Sequence, residues 1–277
     1  MMPEKNVEIK AKWSKVEITK SMNGTVYVEP DPVIKRTWFD SFSFDKDEVI
    51  SIVTKDNVSI PFDVYESHDV SEIGDGSVIV YAESDESGNY KVTIGGEKKI
   101  IAPSNSTSLF SNFHNLTSMD LTYLDTSQVT NMYWMFANLF VCNSLDLSNF
   151  DTSNVTNMHG MFAQSTYLYY LNLSSFNTSK VTDMSDMFMH CASLTSLDLS
   201  SFDTSQVTDM SQMFFNCRDL TNLNMHIANF NAMSYSSMFY NVTNGITIIV
   251  KDETAKTWIE SRLIDEGKTG TVTIAGA

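Results

Sequence analysis

Cysteine is nearly missing from this chain, with three residues in 277. An odd number cannot close a disulfide framework, so oxidative stapling is excluded as the source of stability. Basic residues are scarce as well, 18 against 34 acidic ones, for a formal net charge of −16. A field of that sign repels DNA, RNA and anionic membranes, which excludes non-specific nucleic-acid binding. Long apolar runs are lacking too. The longest are about five residues, such as Ile246-Thr-Ile-Ile-Val250, far short of the ~20 that cross a bilayer, so no membrane insertion is expected. The start, Met-Met-Pro-Glu-Lys followed by alternating Val7, Ile9, Ala11 and Trp13, has no continuous apolar segment of signal-peptide length. With no lipobox cysteine or C-terminal anchor in view, the expectation is a chain that is not exported by the general route, or one whose export signal has been trimmed.

Catalytic signatures are equally absent. The five histidines, His68, His114, His159, His190 and His226, have no metal-ligand spacing. No Gly-rich phosphate loop, Gly-x-Ser-x-Gly elbow or Cys-His pairing occurs. The expectation is therefore no enzyme, no cofactor and no metal.

What the chain does have is 42% hydrophobic residues, 12% aromatics and a repeat. Asp125-Thr-Ser-Gln-Val-Thr-Asn-Met, Asp151-Thr-Ser-Asn-Val-Thr-Asn-Met, Asn177-Thr-Ser-Lys-Val-Thr-Asp-Met and Asp203-Thr-Ser-Gln-Val-Thr-Asp-Met align at 26 residues. The Met-Phe pairs at 135, 161, 187 and 213 keep that step, and Met238-Phe239 follows after 25. Upstream, Leu109-Phe110 looks like a degenerate first copy. Degenerate ends are what capping copies of a stacked array look like. Within a copy, Leu194-Thr-Ser-Leu-Asp-Leu199 alternates as a half-buried strand. Val207, Met210, Met213, Phe214 and Cys217 recur at three and four, the period of a short helix. Asp-Thr-Ser between the two is turn and cap chemistry. One strand and one helix cannot bury their own apolar faces, whereas stacked copies can.

The pattern Leu-x-x-Leu-x-Leu-x-x-Phe-Asp-Thr-Ser-x-Val-Thr-x-Met-x-x-Met-Phe resembles the BspA-like leucine-rich repeats of bacterial surface proteins. It is also similar to the 25–26-residue DUF285 repeats of mycoplasma lipoproteins and some phage-encoded proteins. The resemblance covers about residues 98–244 and implies an interaction surface with no defined catalytic residues. The tail, 246–274, resembles the strand–helix–strand cap that closes such arrays. The expected class is α/β and β-rich: residues 1–97 a β-rich region for attachment or capping, 98–244 a short leucine-rich-repeat solenoid with one strand and one short helix per repeat, and 245–277 the cap. In the first region, strands are expected at 13–19 and 24–29 around the Asn23-Gly24 turn, and at 49–54, 58–65, 77–83 and 90–95.

Strand alternation turns Asp120, Asp146, Asn172, Asp198 and Asn224 away from the core. Stacking would align them as a polar ladder on the sheet face, beside Tyr123 and Tyr170. These seven residues are the candidate ligand-binding site. A solvated face that alternates Asp with Asn to limit like-charge repulsion is the competing reading, and calcium chelation is a third. Tyr133, Trp134, Tyr167 and Tyr169 also depart from the repeat consensus with large side chains, as interface anchors do. A second ladder, Asp125, Asp151, Asn177 and Asp203, is read as structural. The methionines, 13 of 16 of them in the repeats, are read as core, and Cys191 and Cys217 as buried thiols. The expected function is non-catalytic recognition at a surface. A phage virion component (tail, baseplate or capsid surface) that reads a host-surface glycan or protein comes first, with residues 1–97 contacting other virion proteins. A bacterial cell-surface adhesin is the alternative, and a glycan-active enzyme is the reading from another class.

Overall fold

The segment expected to be a short helix in each copy is an arc, because its backbone donors are divided between two destinations. The computed structural model describes residues 33–276 apart from 57, 58, 73, 75, 97, 98, 229 and 231–233. In the first of the four aligned copies, the N–H groups of Met132, Trp134, Phe136 and Asn138 leave the arc. They donate to the carbonyls of Asn157, His159, Met161 and Ala163 in the following copy, at 2.8–3.0 Å. The intervening donors Met135 and Ala137 turn inward to Met132 and Trp134 at 3.2 Å. An α-helix would keep every such bond within itself. Residues four apart adopt positive φ in each arc, for example Trp134 at 54° and Asn138 at 60°, or Asp186 at 57° and His190 at 61°. The three-and-four spacing is therefore the period of a curled run of turns bonded to the next copy.

The curl puts both residues of each Met-Phe pair into the core. Phe110, Phe136, Phe162, Phe188, Phe214 and Phe239 form one column, with successive centroids 5.6–5.8 Å apart and ring planes within 11°. All six are fully buried. Cys142, Cys191 and Cys217 are free, buried thiols, and Cys191 and Cys217 donate to the carbonyls of Phe162 and Phe188 at 3.1 Å. Burial pushes the Cys191 thiol up to about 12.

The Asp-Thr-Ser turns divide two jobs between neighbouring side chains. Asp125, Asp151, Asn177 and Asp203 each accept the amide two residues on, at 2.9–3.1 Å, closing their own turn. The bonds between copies belong to the buried threonines. Thr178 Oγ1 donates to the Asp203 carbonyl at 3.0 Å and accepts the Asp203 amide at 2.8 Å. Thr126, Thr152 and Thr204 repeat this pattern. Thr178→Val keeps the shape and removes both bonds. Water can reach part of exposed Asp203, so the expected cost is near the low end for an orphaned pair, about 1 kcal/mol, read from denaturant unfolding.

At the N-terminal side, β1 (Val49–Asp56), β2 (Glu66–Asp69), β3 (Val78–Ser84) and β4 (Tyr90–Gly96) join β6 (Ser118–Asp120) in one sheet, ordered β2-β3-β4-β1-β6. β5 (Ile100–Ile101) pairs with β7 (Leu124–Asp125). The strand expected over 58–65 does not form among its described residues, 59–65. Pro61 has no N–H to donate, Ile60 and Phe62 face solvent, and contact with β3 begins only at Tyr65, whose amide reaches Ala82 at 2.8 Å. The hairpin expected around Asn23-Gly24 lies outside the described residues. Strand pairing and side-chain contact cross residue 97. β1 is parallel to β6, and Trp38 stacks on Phe113 while its Nε1 donates to the Leu109 carbonyl at 3.0 Å. The described residues all fall in one compact unit.

The leucine strands are short: β8 (Ser144–Asp146), β9 (Tyr170–Asn172), β10 (Ser196–Leu199) and β11 (Asn222–Met225). β10 and β11 continue in parallel into β12 (Ile246–Val250) and β13 (Gly270–Ile274), with α1 (Glu253–Asp265) between those last two strands. Asp252 caps α1 by accepting the Ala255 amide at 2.9 Å. Glu266, just past α1, accepts the Phe239 amide, which in every earlier copy would donate to the next one. Burial holds the Glu266 carboxyl above its ordinary value despite that bond. The described chain is thus β-rich, with one α-helix and several small open sheets.

Candidate functional site

The leucines that should point inward do so on three of four positions. Leu145, Leu147 and Leu173 are buried, while Leu171 is half-buried against the core. Alternation then turns Asp146 and Tyr170 out, as expected. β8 and β9 pair in parallel with Ser144 opposite Tyr170 and Asp146 opposite Asn172. Asn172 Nδ2 donates to Asp146 Oδ1 at 3.0 Å. The Asp/Asn alternation therefore replaces a repulsive carboxylate pair by a hydrogen bond.

Strand pairing joins the seven expected site residues in three sets. Asp146, Tyr170 and Asn172 come together on β8–β9. Asp198 and Asn224 are paired separately on β10–β11. Asp120 and Tyr123 belong with the N-terminal strands, where Asp120 lies opposite Val53 and the Tyr123 amide donates to Thr54 Oγ1 at 3.0 Å. Among the described residues no strand pairing joins β6 to β8 or β9 to β10. Strands of three or four residues make few ladder bonds, so the threonines and arcs carry the cohesion between copies.

The polar atoms of this face are partly committed. Asp120, Asp146, Asn172 and Asp198 each accept the amide two residues on, at 2.9–3.2 Å. The Ser148 hydroxyl and amide, with Asn172, hold the Asp146 carboxyl below its ordinary value. Ser153 and Ser205 do the same for Asp151 and Asp203. Depressed values mean that this contribution is present at neutral pH and disappears as the pH falls through the folded-state values. Asn224 Oδ1 is buried without a partner.

The aromatics are less committed. Tyr167, Tyr169 and Tyr170 are 60%, 57% and 51% exposed. The Tyr169 and Tyr170 amides both bond the Asn143 carbonyl, which fixes the segment against the preceding copy. Phe140 and Val141 in that copy are exposed as well. These two were missed from sequence. A comparison of copies would have found them, because Val141 and Tyr167 share one repeat position. Also missed was a polar contact at another repeat position, His159 Nδ1 to Ser185 Oγ at 2.6 Å, with Ser185 in turn donating to Asp183 at 2.5 Å.

Residues 104–219 and 138–248 match the family described as "Mycoplasma protein of unknown function, DUF285". Together the two matches take in more than half of the 277 residues. No curated protein and no solved structure matches the chain. Among the described residues, no helix is long and apolar enough to cross a membrane.

Proposed function

The chain belongs to the DUF285 family, and from that premise we propose that it is a short solenoid displayed on a surface, where it recognises a partner without catalysis. The observation that carries this reading is the exposed group of Tyr167, Tyr169 and Tyr170, with Tyr170 on the paired strands that carry Asp146 and Asn172 and Tyr169 tied by its amide to the Asn143 carbonyl. Tyrosines offer large, rigid contact area at low entropic cost, as binding anchors do. Residues 106–244 carry only Lys180 and Arg218 against ten acids, so the partner is a neutral glycan or a basic protein patch. In this reading residues 33–97 cap the first copy, 98–244 form the array and 245–277 close it. The display site is a phage tail, baseplate or capsid surface contacting a host cell, with a bacterial cell surface as the alternative. Ser185, the hydroxyl beside His159, gives its proton to Asp183, which supports a structural role over a nucleophilic one.

The test compares binding of wild type, Tyr170→Ala and Asp198→Ala to candidate host cells and immobilised glycans, each variant first checked for unchanged melting. Tyr170→Ala is expected to weaken binding about tenfold, equivalent to ~1.4 kcal/mol. If both variants bind like wild type while changes within residues 1–97 abolish binding, recognition belongs to the N-terminal region.

A further inference from the structure

A tryptophan stands where the fold asks for a small or flexible polar residue. The first positive-φ position of each arc holds Ser108, Trp134, Gly160, Asp186, Gln212 and Ser237, all with φ between 54° and 58°. Bulky side chains are disfavoured in this region, where Asn, Asp and Gly are at home. The Trp134 indole lies over the next copy, and its Nε1 is 2.4 Å from where a Cβ on Gly160 would be. Gly160 is therefore set by the indole and not by the backbone, since Asp and Gln adopt the same φ. The indole N–H gains nothing there, because it is buried without a partner. A strained aromatic, an orphaned donor and a vacated side chain are three costs at one place. Costs of this kind concentrate at functional sites.

The indole adds width to an aromatic surface. Tyr133, 38% exposed, has its ring centroid 6.2 Å from that of Trp134, with the planes 25° apart. Both rings are backed by the following copy. Tyr133 stacks on His159 at 4.8 Å and 17°, and Trp134 covers Gly160. The copies follow one another in parallel, Asn105 to Asn131 to Asn157 to Asp183, so the opposite ring faces look toward the first copy. The matching residues there, Thr107 and Ser108, are too short to cover two rings. The aromatic pair is thus flanked by Asn105, Thr107 and Ser108, all uncharged, with Asn105 Oδ1 accepting the Thr107 hydroxyl at 2.6 Å. The carboxylates of Asp183 and Asp186, which would draw a cation, lie behind the rings.

We propose that Tyr133 and Trp134, with Asn105, Thr107 and Ser108, form a binding site for a neutral saccharide ring, separate from the tyrosine face of β8–β9. The apolar face of a sugar would lie on the rings and its hydroxyls would meet the flanking polar residues. An anionic sugar would be repelled by the net charge of −16.

The test is calorimetric and ligand-observed NMR titration of the full chain with chitotriose, maltotriose and lactose, with sialyllactose as the anionic control. At least one neutral sugar is expected to bind saturably, with an affinity little changed between about 0.05 and 0.5 M salt. Trp134→Ser and Tyr133→Thr install the residues of the first copy, and each is expected to weaken binding about tenfold or more. Trp134→Ser should leave the melting temperature unchanged or raise it, which separates a binding role from a packing one. Tyr170→Ala should bind these sugars as wild type does, so loss there with retention in the Trp134 and Tyr133 variants would assign the sugar to the other face. Lack of saturation by all three neutral sugars, wild-type affinity in both Trp134→Ser and Tyr133→Thr, or a large fall in melting temperature for Trp134→Ser would each overturn the proposal.

Discussion

Replacing Phe188 by Ala is expected to destabilise the protein by about 3–5 kcal/mol. Phe188 is fully buried in the middle of the phenylalanine column, between Phe162 at 5.6 Å and Phe214 at 5.8 Å. Truncation removes its transfer free energy and leaves a void that the neighbouring rings cannot fill. Their arcs are pinned by hydrogen bonds: the Phe188 amide donates to Met213, and Phe162 donates to Met187, both at 3.0 Å. The arcs therefore cannot close toward one another, which puts the cost at the upper end for a buried side chain. Urea unfolding followed by circular dichroism reads the change directly. A loss under about 1 kcal/mol would show that the column does not carry the core.

Placing a side chain at Gly160 is expected to cost about 2–3 kcal/mol, more through collision with Trp134 than through backbone strain. The Cβ of Gly160→Ser would lie 2.4 Å from Trp134 Nε1, 2.7 Å from its Cδ1 and 2.9 Å from its Cε2. Serine itself suits the conformation, as Ser108 and Ser237 show at 56° and 55° in the equivalent positions. The sign and source of the effect can therefore be separated by a double-mutant cycle. In a Trp134→Ser background the same Gly160→Ser change should cost only about 1 kcal/mol, the residual penalty of an L residue at positive φ. Equal costs in the two backgrounds would mean that glycine is required there for its backbone alone.

Helix and arc share the same three-and-four apolar spacing, and this is where the sequence reading of each copy failed. Periodicity reports which side chains face inward, and Val129, Met132, Met135 and Phe136 are all buried as it demands. It does not report where the amides go. A neighbouring copy at hydrogen-bond distance offers a parallel row of carbonyls, and half the amides take it. That choice depends on residues 25 positions away and has no local signature.

The ladder reading was half legible for a related reason. Asp-Thr-Ser marked a turn, and the aspartates do close it. Which of two adjacent oxygens reaches the next copy depends on how the turn is tilted, and the tilt buries Thr152 and Thr178 and leaves Asp151 and Asn177 exposed. Alternation likewise turned Asp146 and Tyr170 outward, but it could not show that pairing between strands of three or four residues would be interrupted between β6 and β8 and between β9 and β10.

The chain by itself determined its repeat length, its core residues, its buried free thiols, its acidic sign and the strand–helix–strand end, because composition and local apolar pattern fix these. Tertiary structure decided the arcs, the threonine ladder, the capping of the Phe239 amide by Glu266 and the seating of Trp134 over Gly160. Each of these depends on where one copy's unpaired groups and vacant volume fall against the next, and only stacking brings such positions within reach of one another.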